Sequence, residues 1–280
     1  MYEIIFLFVL GLIWIIIASY QDLKTTIVTN WMSFSLIIFA MGFRFFYSLF
    51  SPSANGFMFF YQGLIGLAIF FVIENALYYG RVFAGGDAKL MLALGAILPF
   101  SESFLVNVKI FFWFFVAFLF FGAIYGALWS LYSTIKNYRN FKKEFKFYFI
   151  KNRTIIYLVM ALALILMFIG FYFEIFFIFG IFLFVLPYFF LYAKAVDEGC
   201  MIVRVLSKEL IEGDWLYKDV KIGKEKIKSN WEGVSLKEIK KLKKIKYVWI
   251  RRGIPFVPVF FFSFILLIYL WRTGLWNSLW

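Results

Sequence analysis

The chain has 280 residues, is 64% hydrophobic, and carries 42 Phe, 10 Trp and a net charge of +13. A soluble domain carries about 45–50% apolar residues, so an ordinary cytosolic protein, a disordered chain and a secreted disulfide scaffold are excluded. With no His and one Cys, Cys200, there is no Ser-His-Asp or Cys-His nucleophile, no His-ligated metal and no internal disulfide; chemistry falls to Asp, Glu, Lys, Ser, Thr or Tyr.

Eight apolar segments are predicted, at roughly 2–20, 31–50, 57–80, 88–99, 104–134, 154–171, 173–193 and 256–272. The first lacks a basic leading region and a small-residue cleavage site, so it reads as part of the mature protein. The fourth is short. The fifth is too long for one upright crossing. Residues 51–56 and 99–103 read as turns, and the short link 170–174 makes the sixth and seventh segments a hairpin. The fold class expected is an all-α polytopic membrane protein of about eight helices, arranged as a six-helix core plus a hairpin, with a small α+β insertion.

Lys and Arg set the expected orientation. With the N-terminus outside, the inner connectors are 21–30, 81–87, 135–153 and 194–253. Twenty-six of the 29 basic residues then lie on the cytoplasmic side, with Arg44, Lys109 and Arg272 as the exceptions. The connector 135–153 holds seven basic residues against one acid, Glu144. Residues 194–253 hold 16 basic and nine acidic residues. Strands are expected there at 201–206, 215–222 and 247–250, and Ser235-Leu236-Lys237-Glu238 is a capping-box pattern opening a basic helix. The expected domains are a bundle over 1–193, a cytoplasmic region over 194–253, and a last helix with an outer tail over 254–280. The interleaved acids and bases of 194–253 read as solvated ion pairs, a region that faces the cytoplasm and supports substrate access without supplying catalytic groups.

Seven acids lie outside that region. Glu3, Glu102, Glu144 and Glu174 read as surface or loop charge, which leaves Asp22, Glu74 and Asp87. Carboxylates within membrane segments are costly and mark function more often than surface ones do. Asp22 ends the first segment in Gln21-Asp22-Leu23-Lys24, and Asp87 opens the fourth in Ala84-Gly85-Gly86-Asp87-Ala88-Lys89. The charge-derived topology puts both on one side at one depth. Two carboxylates in one site cannot both ionise freely, so the pair holds one proton between them. That equips them to take a proton from water and to donate one to a carbonyl oxygen, as in an aspartic protease, with no metal or cofactor required. Gly85 and Gly86 are read as leaving room for a peptide backbone and as freeing φ at the turn. Gly-Gly-Asp also reads as a plain turn with a helix cap. Lys24 and Lys89, each two positions from an Asp, are expected to tune the pair or to anchor at headgroups. Glu74 is expected in the bundle interior in a structural role.

The pair resembles that of the GxGD-type membrane aspartic proteases, specifically the type IV prepilin peptidases. The resemblance rests on Asp22, Lys24 and Asn30 for the first motif, on Ala84-Gly85-Gly86-Asp87-Ala88-Lys89 for the second, and on residues 92–99. Ala84 stands where the family has its first Gly. Stretches 212–216, 233–239 and 253–258 are similar to archaeal prepilin and preflagellin peptidases. The resemblance implies Asp22 and Asp87 as catalytic residues, with Lys24, Asn30, Gly85, Gly86 and Lys89 binding substrate or shaping the site. It also implies a substrate that is a prepilin-like or preflagellin precursor cut at the cytoplasmic membrane boundary. Bacterial relatives often add an N-methyltransferase activity with a cysteine-bearing region. One Cys and no nucleotide-binding glycine loop lead to an expectation of cleavage alone. No cofactor and no nucleic acid are expected; the partners are the precursors and membrane lipid. Three other readings stay open: a presenilin-like protease, although Tyr20-Gln21-Asp22 lacks the Tyr-Asp pair; a transporter whose carboxylates carry cations or protons, which Glu74 keeps in play; and a non-catalytic membrane assembly protein in which Asp22 and Asp87 merely cap helices.

Overall fold

A computed structural model of the chain describes residues 2–51, 56–223 and 225–274. Six helices are long and apolar enough to cross a membrane: α1 (Tyr2–Thr25), α2 (Asn30–Phe50), α3 (Met58–Tyr79), α5 (Phe104–Lys136), α6 (Tyr138–Ile169) and α7 (Glu174–Cys200). Two shorter apolar helices are α4 (Gly85–Ile97) and α9 (Val257–Thr273). At 13 residues α4 is about 20 Å long, well short of the ~30 Å hydrocarbon layer. The protein is therefore a helical polytopic membrane protein. The expected turn at 51–56 falls mostly outside the described residues, as do 275–280 of the expected tail. The chain divides into two compact units, Met1–Ala127 with Ile254–Trp280, and Leu128–Gly253.

In the first unit α4 is the centre. Its residues Leu90, Met91, Leu94 and Ile97 are fully buried, as an all-round apolar helix must be. Helices α1, α2 and α3 pack on it, and α1 also packs on α9. The α3–α4 contact is backbone against backbone. A Cβ on Gly95 would lie 2.7 Å from the Gly66 carbonyl oxygen, and one on Gly66 would collide with that of Gly95. Small residues allow such an approach where lipid supplies no hydrophobic force between helices. Gly66→Ala should therefore push α3 off α4 and lower stability by about 1–3 kcal/mol. Thermal unfolding in detergent checks this, and an unchanged midpoint would contradict the packing.

The second unit holds the end of α5, the α6–α7 hairpin and the insertion. The hairpin is confirmed, and Gly180 lets α7 reach the α6 backbone at Met167 and Ala163. Residues 138–153 are not a loop; they are the first half of α6. The run has no Gly or Pro. Its half-buried Phe141 faces Tyr192 at 5.6 Å between ring centroids, and Gly199 closes on Asn140. Glu144 is thus helical, and α7 continues past 193 to Cys200 despite its charges. Beyond it come β1 (Ile202–Leu206), β2 (Trp215–Leu216), β3 (Val220–Ile222), β4 (Glu225–Ile227), α8 (Leu236–Leu242) and β5 (Tyr247–Arg251). An antiparallel sheet orders β1-β5-β2, and β3-β4 form a separate hairpin. The single strand expected over 215–222 is therefore two, interrupted where Asp219 turns to pair with Lys226 at 2.7 Å and to accept from the Ser229 N–H. The capping box at Ser235 and Glu238 is present. Arg251 ties β5 to Asp197 and Glu198 of α7 at 3.3 and 3.0 Å.

Candidate active site

Asp22 lies in the last turn of α1 and is buried, 5% exposed. Its Oδ2 accepts the Val257 N–H at 2.8 Å. Val257 opens α9, so its amide has no acceptor within its own helix. A carboxylate from α1 thus closes the N-terminus of α9, where the helix dipole favours negative charge. Just past Asp22 the helix ends at Thr26, which takes a left-handed φ of 56°. That conformation is costly for a β-branched residue, and it turns the chain into the extended link to α2.

Asp87 is the third residue of α4. Ala84, the N-cap, is extended at φ −73° and ψ 159°. Asp87 therefore stands in the first turn of α4, where the helix dipole favours negative charge. Each carboxylate thus lies at the start of a helix, Asp22 at that of α9 and Asp87 at that of α4. The charge of Asp22 acts on Asp87, so the two expected catalytic residues share one end of one unit. Gly85 and Gly86 depart from expectation in one respect. Neither takes a positive φ, because both already lie in helical geometry as the first two residues of α4. A Cβ added at Gly85 would meet only the edge of Tyr78, at 3.8 Å, whereas one at Gly86 would press on Val28 at 3.4 Å.

The other expected site residues divide. The Lys89 ammonium donates to Asn30 Oδ1 at 2.6 Å, joining α4 to the start of α2. Thr29 Oγ1 donates to Gln21 Oε1 at 3.2 Å across the same link. Lys24 is exposed and sits 5.8 Å over the ring of Tyr20 on its own helix, away from the buried face that carries Asp22. Glu74 is half-buried rather than interior. It accepts from the Asn75 side chain at 3.0 Å and feels the charge of Lys89, which places it at the rim because α3 ends five residues later. Lys89→Met should remove the tie between α4 and α2 and lower stability by about 1.5 kcal/mol, the scale of one charged hydrogen bond. Thermal unfolding in detergent checks this, and an unchanged midpoint leaves Lys89 a headgroup anchor only.

Sequence reasoning missed three features of this unit. The amide of Val257 carries no side-chain signal and lies 235 residues from Asp22 in the chain. An aromatic wall runs from Phe83 to Phe118 and Phe260, with centroid separations of 5.6 and 6.2 Å from Phe83, and on to Phe256 at 5.7 Å from Phe118. At the other end of α4 Arg44, fully buried, donates to the carbonyls of Ala96, Phe59, Ile97 and Pro99 at 2.8, 2.9, 3.2 and 2.6 Å.

Residues 9–130 match the model of the type IV leader peptidase family. That span contains Asp22, Asn30, Asp87 and Lys89, and the resemblance carried by the motifs holds over it. A preflagellin peptidase of Methanocaldococcus jannaschii is 29% identical over 92 residues, which are 33% of this chain and 38% of that protein. The match thus spans well under half the length of that curated relative. No solved structure matches the chain.

Proposed function

We propose that the protein is a membrane aspartic endopeptidase that removes leader peptides from prepilin-like or preflagellin precursors. One observation carries the reading: two carboxylates from distant positions lie at one end of one unit, Asp22 fixed by the Val257 amide at the start of α9 and Asp87 in the first turn of α4, within reach of the charge of Asp22. The family match over residues 9–130 supports the substrate class. In the reaction one carboxylate takes a proton from water, and the resulting hydroxide attacks the scissile carbonyl carbon. The other carboxyl donates its proton to the carbonyl oxygen. The carboxyl that took the proton from water passes it to the departing amine as the C–N bond breaks, and the other carboxylate takes back a hydroxyl proton as the diol collapses to the new carboxyl group, which returns the pair to its starting count of one proton. With Oδ2 of Asp22 held by Val257, its Oδ1 is the oxygen placed for this exchange.

The orientation belongs to the same proposal. The N-terminus is outside, the carboxylates lie at the cytoplasmic boundary, and residues 194–253 are cytoplasmic, basic and without catalytic groups. Cleavage proceeds without N-methylation. Co-expression with pilin-like precursors from the same genome, followed by sequencing of the product's new N-terminus, tests all of this. The expected product starts just ahead of the precursor's apolar helix with an unmodified amine. Uncut precursors in membranes that hold intact protein would sink the reading.

A further inference from the structure

The first half of α6 is basic on the side that α7 leaves uncovered. Arg139, Lys142, Lys143, Lys146 and Arg153 are exposed, and their spacings of three, four and seven residues put them on one stripe of the helix. Lys151 is exposed beside them, with its ammonium 5.9 Å from the ring of Phe147. The one acid of the stretch, Glu144, is half-buried, three residues from Phe141 on the face that meets Tyr192 of α7. Among the described residues none of these six bases makes an ion pair, whereas Lys226, Lys241 and Arg251 of the insertion are each matched by an acid. Phe147 and Ile150 are apolar yet 53% and 55% exposed among the charges.

The same helix then runs apolar over residues 155–169. At 1.5 Å per residue that run covers about 22 Å, short of the ~30 Å hydrocarbon layer. The residues just before it therefore lie at membrane depth. Lys151 and Arg153 extend their charges to the phosphates, and Lys146 stands at the edge of the headgroup layer. Arg139 is a further ~10 Å out, about one Debye length away. We infer that the membrane end of this stripe, Lys146, Lys151 and Arg153 with Phe147 and Ile150, is a binding surface for anionic phospholipid headgroups. The cations take the phosphates. The two apolar side chains pack between headgroups, at the level where aromatic residues concentrate. Each base near the surface contributes about fivefold in affinity, the equivalent of ~1 kcal/mol. The inference stands on the membrane fold and is independent of the peptidase reading.

The test uses the full chain in a neutral detergent, titrated with phosphatidylglycerol or phosphatidylcholine while native mass spectrometry counts bound lipid. Phosphatidylglycerol should bind about tenfold more tightly, and the preference should weaken as salt is raised. Lys146→Gln, Lys151→Gln and Arg153→Gln combined should remove most of the preference. Lys146→Arg, Lys151→Arg and Arg153→Lys combined should keep it, which separates charge from folding. Lys146→Gln alone should cost about fivefold and Arg139→Gln less than about twofold. Equal binding of the two lipids by the parent would overturn the inference, as would a preference that survives the triple Gln variant. A loss in Arg139→Gln as large as in Lys146→Gln would also overturn it, since a soluble polyanion lying along the stripe uses every base alike. A short single-stranded oligonucleotide that displaces phosphatidylglycerol would assign the stripe to nucleic acid instead.

Discussion

Asp22→Asn and Asp87→Asn should each reduce precursor cleavage by a factor on the order of 10³ or more, and the double variant should be no worse than either single one. Asn matches Asp in size, and its carbonyl oxygen still accepts a backbone N–H, so the Val257 bond to residue 22 survives. The exchange therefore removes proton transfer while keeping the start of α9 closed. Equal amounts of variant and parent in the membrane, judged by immunoblot, establish that folding is intact. Non-additivity follows from shared chemistry, since one group cannot complete the cycle without the other. Cleavage above a few per cent of the parental rate in either variant removes the carboxylate pair from the mechanism. Independent, multiplying losses would mean two separate roles and no common site.

The sequence made the carboxylates legible for a physical reason: an acid in an apolar segment stands out against its surroundings. The same contrast located the three helices before Asp87 and the hairpin, whose segments are bounded by turns and charge. It failed where charge and helix coexist. Residues 138–153 are basic, and a connector was the natural reading, yet Lys and Glu are good helix formers. The Phe141 and Asn140 contacts with α7 stabilise the helix there. Lys194 and Asp197 misled in the same way at the end of α7. Short strands failed differently. The break between β2 and β3 is set by Asp219 reaching Lys226 and Ser229, and such a side-chain bond leaves no mark in the alternation of apolar residues. The amide of Val257 was out of reach altogether, since a backbone donor has no sequence signature and its use depends on α9 returning to α1.

Arg44 is the instructive omission. Counting charges made it an exception to the positive-inside pattern, whereas it is fully buried and holds the far end of the helix that carries Asp87 in its first turn. Ala96 and Ile97 end α4, and their carbonyls lack intrahelical donors. The guanidinium supplies Nε to Ala96 and Nη2 to Ile97, extends to Pro99, and turns Nη1 to Phe59 on α3. Its plane also lies 4.3 Å from the Phe59 ring. The negative end of the α4 dipole meets a cation, and Gly63 leaves the space, since a Cβ there would stand 2.6 Å from the Arg44 Cδ. Arg44→Met should therefore strand four buried carbonyls and cost about 3–5 kcal/mol, the scale for removing one partner of a buried charged cluster. Arg44→Lys should recover only part of that, because an ammonium is a point charge with no planar fork to span acceptors on α3 and α4. Thermal unfolding in detergent ranks the three proteins, with parent highest, Lys intermediate and Met lowest. Cleavage by the Met variant should fall with the folded fraction, because α4 then loses the anchor opposite Asp87. A Met variant as stable as the parent would show that the carbonyls find other donors and that Arg44 fixes nothing.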